Sequence, residues 1–115
     1  MYVPVFLQTE NELNKVLRKQ KKSKQELAIL FTSLWDSYSQ ELVTKLKFRE
    51  LTLTLYPIPD EEKEHRVPLY VVDSYTMPHA FVIYQTSKLP HLVHLKKMQV
   101  TSMDYLPIVY EELGL

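Results

Sequence analysis

The chain has 115 residues, 45% of them apolar, with 14 lysines and arginines balanced by 14 aspartates and glutamates, which suits one compact domain around one core and is too short for two of ordinary size. That charge balance leaves no net field to draw nucleic acid, anionic membrane or acidic ligands over distance, no apolar run approaches the roughly 18 residues of a membrane span, and Met1–Leu7 lacks the basic and apolar regions of a secretory signal. Cysteine is absent and glycine occurs once, at Gly114, so thiol–disulfide exchange and Gly-rich phosphate cradles are both excluded, and a cytoplasmic or otherwise intracellular setting fits the missing thiols.

Tyr2–Leu7 reads as a short strand, placed at a sheet edge by Pro4. Thr9-Glu10-Asn11-Glu12 is a capping box opening a helix whose inward stripe is Leu13, Val16 and Leu17. The helix ends in Arg18, Lys19, Lys21, Lys22 and Lys24, cations that complement its dipole and then solvate a loop. This run carries no interleaved aromatics, so the solvated helix end is preferred to a nucleic-acid patch; any nucleic-acid contact would go through these five side chains.

Leu27–Phe31 is a continuous apolar run, the pattern of a central strand covered on both faces. Ser37-Tyr38-Ser39-Gln40 reads as a second capping box, followed by a helix with Leu42, Val43 and Leu46 inward. Leu51–Leu55 alternates with threonine and fits either a strand or a helix end. Pro57, Pro59 and Asp60–Glu64 form a polar loop. Val67–Asp73 is the next strand, and Ser74–Pro78 opens a helix that runs through Tyr84. Leu89–Leu95 and Met98–Val100 form a hairpin around Lys96-Lys97. The terminal helix opens at Thr101 or Ser102, with Pro107 pushing its start toward Asp104. With glycine missing before Gly114, proline and asparagine are left to shape the bends.

The order β-α-β-α-β-α-β-β-α, with Trp35 leading into the second helix and a proline opening the fourth strand, resembles the thioredoxin family. The stretch Val72-Asp73-Ser74-Tyr75-Thr76-Met77-Pro78, then Tyr84, then Leu89-Pro90-His91-Leu92-Val93 follows without gaps that family's run of strand aspartate, helix proline, helix tyrosine and cis-proline loop. The resemblance covers nearly all of the chain. It implies a three-layer α/β/α sandwich with a mixed central sheet over residues 1–115, with an insertion or mobile acidic loop within 48–66. It also implies that Pro90 is the cis-proline and that Asp36 and Ser39 occupy the two cysteine positions, with Ser37 and Tyr38 between them. A rival alignment takes Leu51–Leu55 as the third strand and Pro78 as the cis-proline; the ungapped match favours Pro90.

Cysteine-poor relatives, such as the spliceosomal thioredoxin-like proteins, are similar in carrying a Trp-Asp pair at this loop and serve as binding subunits. By that resemblance the chain is expected to be a redox-inactive adaptor or complex subunit without cofactor, metal or catalytic residues. It would bind a protein or peptide through Trp35, Asp36, Ser37, Tyr38, Ser39, Leu89, Pro90 and His91. The alternative is a non-redox hydrolase or transferase using Ser39, His91 and Asp36 in the same groove. Asp36, Ser37 and Ser39 also fit plain helix capping. Tyr38, Tyr75, Tyr84, Tyr105 and Tyr110 read as core or core-rim residues, Trp35 and Tyr38 doubling as interface anchors. His91 and His94 are three steps apart on a strand and point to opposite faces, so they cannot chelate together, and neither His79 nor His65 completes a ligand set. Oligomeric state is left open.

Overall fold

The computed structural model describes residues 1–84, 86 and 88–115, with residues 63 and 64 described by their backbone alone. All six residues of β2 (Leu27–Thr32) are buried. The strand lies mid-sheet, between β3 (Val67–Asp73), parallel to it, and β4 (His91–Lys96), antiparallel to it. β1 (Tyr2–Phe6) adds parallel to β3, and β5 (Gln99–Met103) adds antiparallel to β4, giving the order β1-β3-β2-β4-β5. Pro4 is thus on an edge strand, where a missing N–H is tolerated.

Strand periodicity splits the core in two. Leu27, Ile29 and Phe31 of β2 face α1 (Glu10–Ser23) and α3 (Pro78–Ile83), packing with Leu13, Met77 and Ala80. Ala28 and Leu30 face the other way, against Leu42 and Leu46 of α2 (Ser37–Leu55) and Val109 and Leu113 of α4 (Leu106–Leu113). Helices on both faces of a mixed sheet make the expected three-layer α/β/α sandwich. α1 starts at the predicted box: Thr9 Oγ1 accepts from the Glu12 N–H, and Glu12 Oε1 accepts from the Thr9 N–H at 3.0 Å.

Several boundaries differ from expectation. α2 begins at Ser37 with Asp36 as its N-cap, because a carboxylate one residue earlier reaches the free N–H of Ser39; Gln40 instead donates its side-chain amide to the Leu34 carbonyl. Leu51–Leu55 is the end of α2, with the Thr52 and Thr54 hydroxyls donating back to the carbonyls of Phe48 and Glu50 at 2.9 Å. Asp60–His65 forms 3-10 turns. β5 runs on through Thr101 and Ser102 to Met103, so α4 starts only at Leu106, with Pro107 in its first turn. β4 starts at His91, after a cis Leu89–Pro90 bond, and Pro78 opens α3. Bends do not fall to proline and asparagine alone: among the described residues the two non-glycine positions at positive φ are lysines, Lys24, at φ 56°, closing α1, and Lys97, at φ 56°, opening the two-residue turn between β4 and β5. The single glycine takes φ 70° after α4, where Arg49 of α2 donates to the Leu113 and Gly114 carbonyls at 2.7 and 3.0 Å.

Candidate functional site

Parallel β1, β2 and β3 end on the same side of the sheet, and β4 begins there. Phe31 pairs with His91, and Thr32 pairs with Asp73. The Trp35–Ser39 loop therefore leaves the sheet beside the Leu89–His91 segment, as the sequence reading required. Thr32 closes the strand end by donating its buried hydroxyl to the Val72 carbonyl at 2.9 Å, and its own carbonyl accepts from the Ser74 N–H at 3.0 Å.

The loop is held from within. Ser33 takes the Asp36 N–H on its carbonyl at 3.1 Å and the Trp35 N–H on its hydroxyl at 3.3 Å. With both backbone bonds turned inward, the Trp35 side chain projects outward and is 83% exposed. Asp36 Oδ2 accepts from the Ser39 N–H at 2.9 Å and from the Ser39 hydroxyl at 2.8 Å. Ser39 itself is fully buried, Ser37 is exposed, and Tyr38 is 57% exposed on the first turn of α2. The helix end thus spends its acceptor on its own backbone and presents aromatic surface to solvent.

Across the groove, Pro90 is buried and Leu89 and His91 are half-buried. His91 packs edge-on against Phe31 at 6.1 Å between ring centroids, and its Nε2 lies 2.5 Å from the Ser102 hydroxyl of β5. Its Nδ1 is buried with no partner among the described residues. Burial pushes the imidazole below its ordinary pKa, opposed by the nearby Asp104 carboxylate. His94 points to the other face, toward Glu26 at 3.1 Å and the ring of Tyr2.

A hydrolytic trio of Ser39, His91 and Asp36 is not assembled: Asp36 is bonded to Ser39, His91 is turned to Ser102, and no Asp36–His91 hydrogen bond exists among the described residues. Nucleophilic activation needs the base oriented toward the hydroxyl, whereas this hydroxyl gives its proton to a capping carboxylate.

Two features of the site went unread in the sequence. Leu34 and Tyr75 are 57% and 72% exposed beside the same strand ends, Tyr75 on a turn in which its N–H donates to Asp73 Oδ1 at 2.8 Å. The core-rim assignment of Tyr75 and Tyr105 fails, because Tyr75 leaves a turn and Tyr105 is the extended N-cap of α4, neither on a packed helix face; Tyr84, against Phe31 at 5.3 Å, keeps it. A largely apolar cavity of about 380 Å³ also opens on the other flank of the loop, with Leu34, Gln40, Thr44, Asp73 and Thr76 in its wall, where the carboxyl ends of parallel strands leave room under a helix. Arg18–Lys24 lies before the start of β2, at the opposite end of the sheet from this site.

No protein-family model and no curated protein sequence matches the chain. Solved structures do. Thioredoxin O2 of Arabidopsis thaliana superposes with a TM-score of 0.65 at 21% identity, over 96% of this chain and 94% of that one. A thioredoxin of Nicotiana alata gives 0.68 at 8% identity over 98% and 91%, and Fasciola hepatica thioredoxin gives 0.63 at 15% identity over 95% of each. Such low identity over nearly full-length superposition establishes architecture and leaves the activity open. The chain has the thioredoxin fold, without a cysteine in any position.

Proposed function

We propose that the chain is a redox-inactive binding module, an adaptor or complex subunit acting inside the cell as a single domain. It recognises a partner polypeptide through the groove between Trp35–Ser39 and Leu89–His91. The observation that carries this reading is the outward presentation of Trp35 and Tyr38 by a loop whose own hydrogen bonds are satisfied internally. Rigid aromatics that need no rearrangement before contact are the usual energetic anchors of an interface. The second wall supports an extended ligand: Leu89, before the cis bond, offers backbone groups for strand-like pairing. Leu34 and Tyr75 widen the apolar rim.

The test is selection from a random-peptide display library, followed by calorimetric titration of the selected peptide. Trp35→Ala is expected to weaken binding by roughly 30-fold or more, the cost of about 2 kcal/mol at an anchor, with an unchanged thermal transition. Peptides that bind the Trp35→Ala, Tyr38→Ala protein as tightly as the wild type would remove this groove from consideration.

A further inference from the structure

The outer face of α2 carries an apolar stripe that the domain's own core does not use. Thr44, Phe48, Leu51 and Leu55 recur at steps of four, three and four residues, the spacing of a seam between paired helices. On the same helix Leu42 and Leu46 are fully buried, whereas Phe48, Leu51 and Leu55 are 71%, 54% and 65% exposed and Tyr56, just past the helix end, 75%. Buried and exposed apolar residues thus occupy opposite sides of one helix. An open, mainly apolar groove of about 610 Å³ borders one side of the stripe, meeting it at Thr44 and Phe48, with Thr52, Leu53, Met1 and Leu115 on its far wall.

We infer that this face is a self-association surface, covered by α2 of a second copy in antiparallel orientation about a twofold axis near residues 49 and 50. Three observations favour a second copy. The stripe is self-complementary under that rotation: Phe48 and Leu51 meet Leu51 and Phe48 of the second copy, and Leu55 lies over the short side chain of Thr44, whose hydroxyl is already bonded to the Gln40 carbonyl. The charges permit it, since Lys45 and Lys47 fall beside Thr54 and Thr52 of the second copy instead of each other, and the two helix dipoles oppose. The area suffices: side chains of roughly 150–250 Å² exposed to these fractions leave about 500 Å² per copy, or about 1,000 Å² for the pair, the lower bound of a specific interface before the stems of Lys45 and Lys47 are counted. Thr44, the contact nearest the loop, lies about 12 Å along the helix from the Asp36 cap, so the second helix ends short of the peptide groove in each copy. The dimer presents two grooves, which raises avidity for a partner with two binding segments. The inference does not rest on the groove's ligand.

Sedimentation velocity of the full chain, across roughly 1 µM to 1 mM, is the test. The wild type is expected to pass from 13.7 kDa to twice that mass. Phe48→Glu, and separately Leu55→Ser, is expected to raise the dimer dissociation constant by roughly 100-fold or more, because a charge at 48 meets Leu51 of the second copy and truncation at 55 removes apolar contact twice in a twofold dimer. Far-UV circular dichroism checks folding, and the gentler Leu55→Ser covers the case in which Phe48→Glu perturbs the helix. Trp35→Ala should leave association unchanged. A wild type monomeric throughout, which would assign the stripe to another partner, or a dimer that survives both substitutions, overturns the inference.

Discussion

Removing the Asp36 carboxylate tests whether this side chain is a structural cap. In Asp36→Ala the Ser39 N–H loses its acceptor, a loss of about 1 kcal/mol for an N-cap. The Ser39 hydroxyl, fully buried and bonded only to Asp36 among the described residues, is left unsatisfied at a further 1 kcal/mol or so, and the lost charge at the positive helix end adds about 0.5 kcal/mol. The expected destabilisation is roughly 2–3 kcal/mol, a fall of about 8–12 °C in Tm for a chain of this length. Asp36→Asn keeps an acceptor and should cost under about 1 kcal/mol. Ser39→Ala in the Asp36→Ala background removes the orphaned hydroxyl, so the double variant should be about 1 kcal/mol more stable than additivity predicts. Urea titration with a fixed m-value reads all of these. If Asp36→Ala stays within about 0.5 kcal/mol of wild type, or the pair is additive, the capping argument is wrong.

Three further outcomes follow from the same geometry. Because burial holds the His91 imidazole below its ordinary pKa, the unfolded chain binds its proton first on acidification; stability is full above about pH 7 and declines as pH falls through about 6.5 toward the folded-state pKa, so the advantage of wild type over His91→Gln should shrink on acidification in thermal melts, and a flat difference would contradict it. Lys24→Gly and Lys97→Gly relieve left-handed backbone at φ 56° and should each raise stability by about 0.5–1 kcal/mol in urea titrations; a loss at either site would show that the lysine stem is packing. Single Asp36→Cys and Ser39→Cys variants place a thiol at the start of α2, where the helix dipole lowers thiol pKa; the half-buried position 36 should react with a thiol reagent at neutral pH, whereas the fully buried position 39 should be protected, and equal rates would refute the assigned burial.

Much of the fold was legible because the signals were local. Leu27–Phe31 has enough consecutive apolar residues to demand cover on both faces, and Thr9 with Glu12 announces a helix start with both halves of its reciprocal bond present. The cis bond before Pro90 was placed instead by the resemblance of the ungapped run from Val72 to Val93 to the thioredoxin pattern, which also put a helix proline at Pro78. Leu51–Leu55 could not be decided, because alternating leucine and threonine satisfy a strand face as well as a helix in which Leu51 and Leu55 point out and Leu53 inward. The start of α2 was misplaced by one residue because Asp36 and Ser37 are both good caps, and only backbone direction selects between them. Thr101 and Ser102 looked like a helix start, but pairing with β4 kept them in strand.

The sequence by itself determined the alternation of strands and helices and the absence of thiol chemistry, since these depend on residue type and spacing along the chain, while the nearness of one loop to a proline segment was implied by the family resemblance. The tertiary structure alone decided which groups are free to act. It turned His91 toward Ser102, and left Trp35, Tyr38 and Tyr75 facing solvent at the strand ends. It also turned Phe48, Leu51 and Leu55 away from the core. Exposure and hydrogen-bond partnership are set by contacts between residues far apart in the chain, such as His91 with Phe31, and no local pattern encodes them.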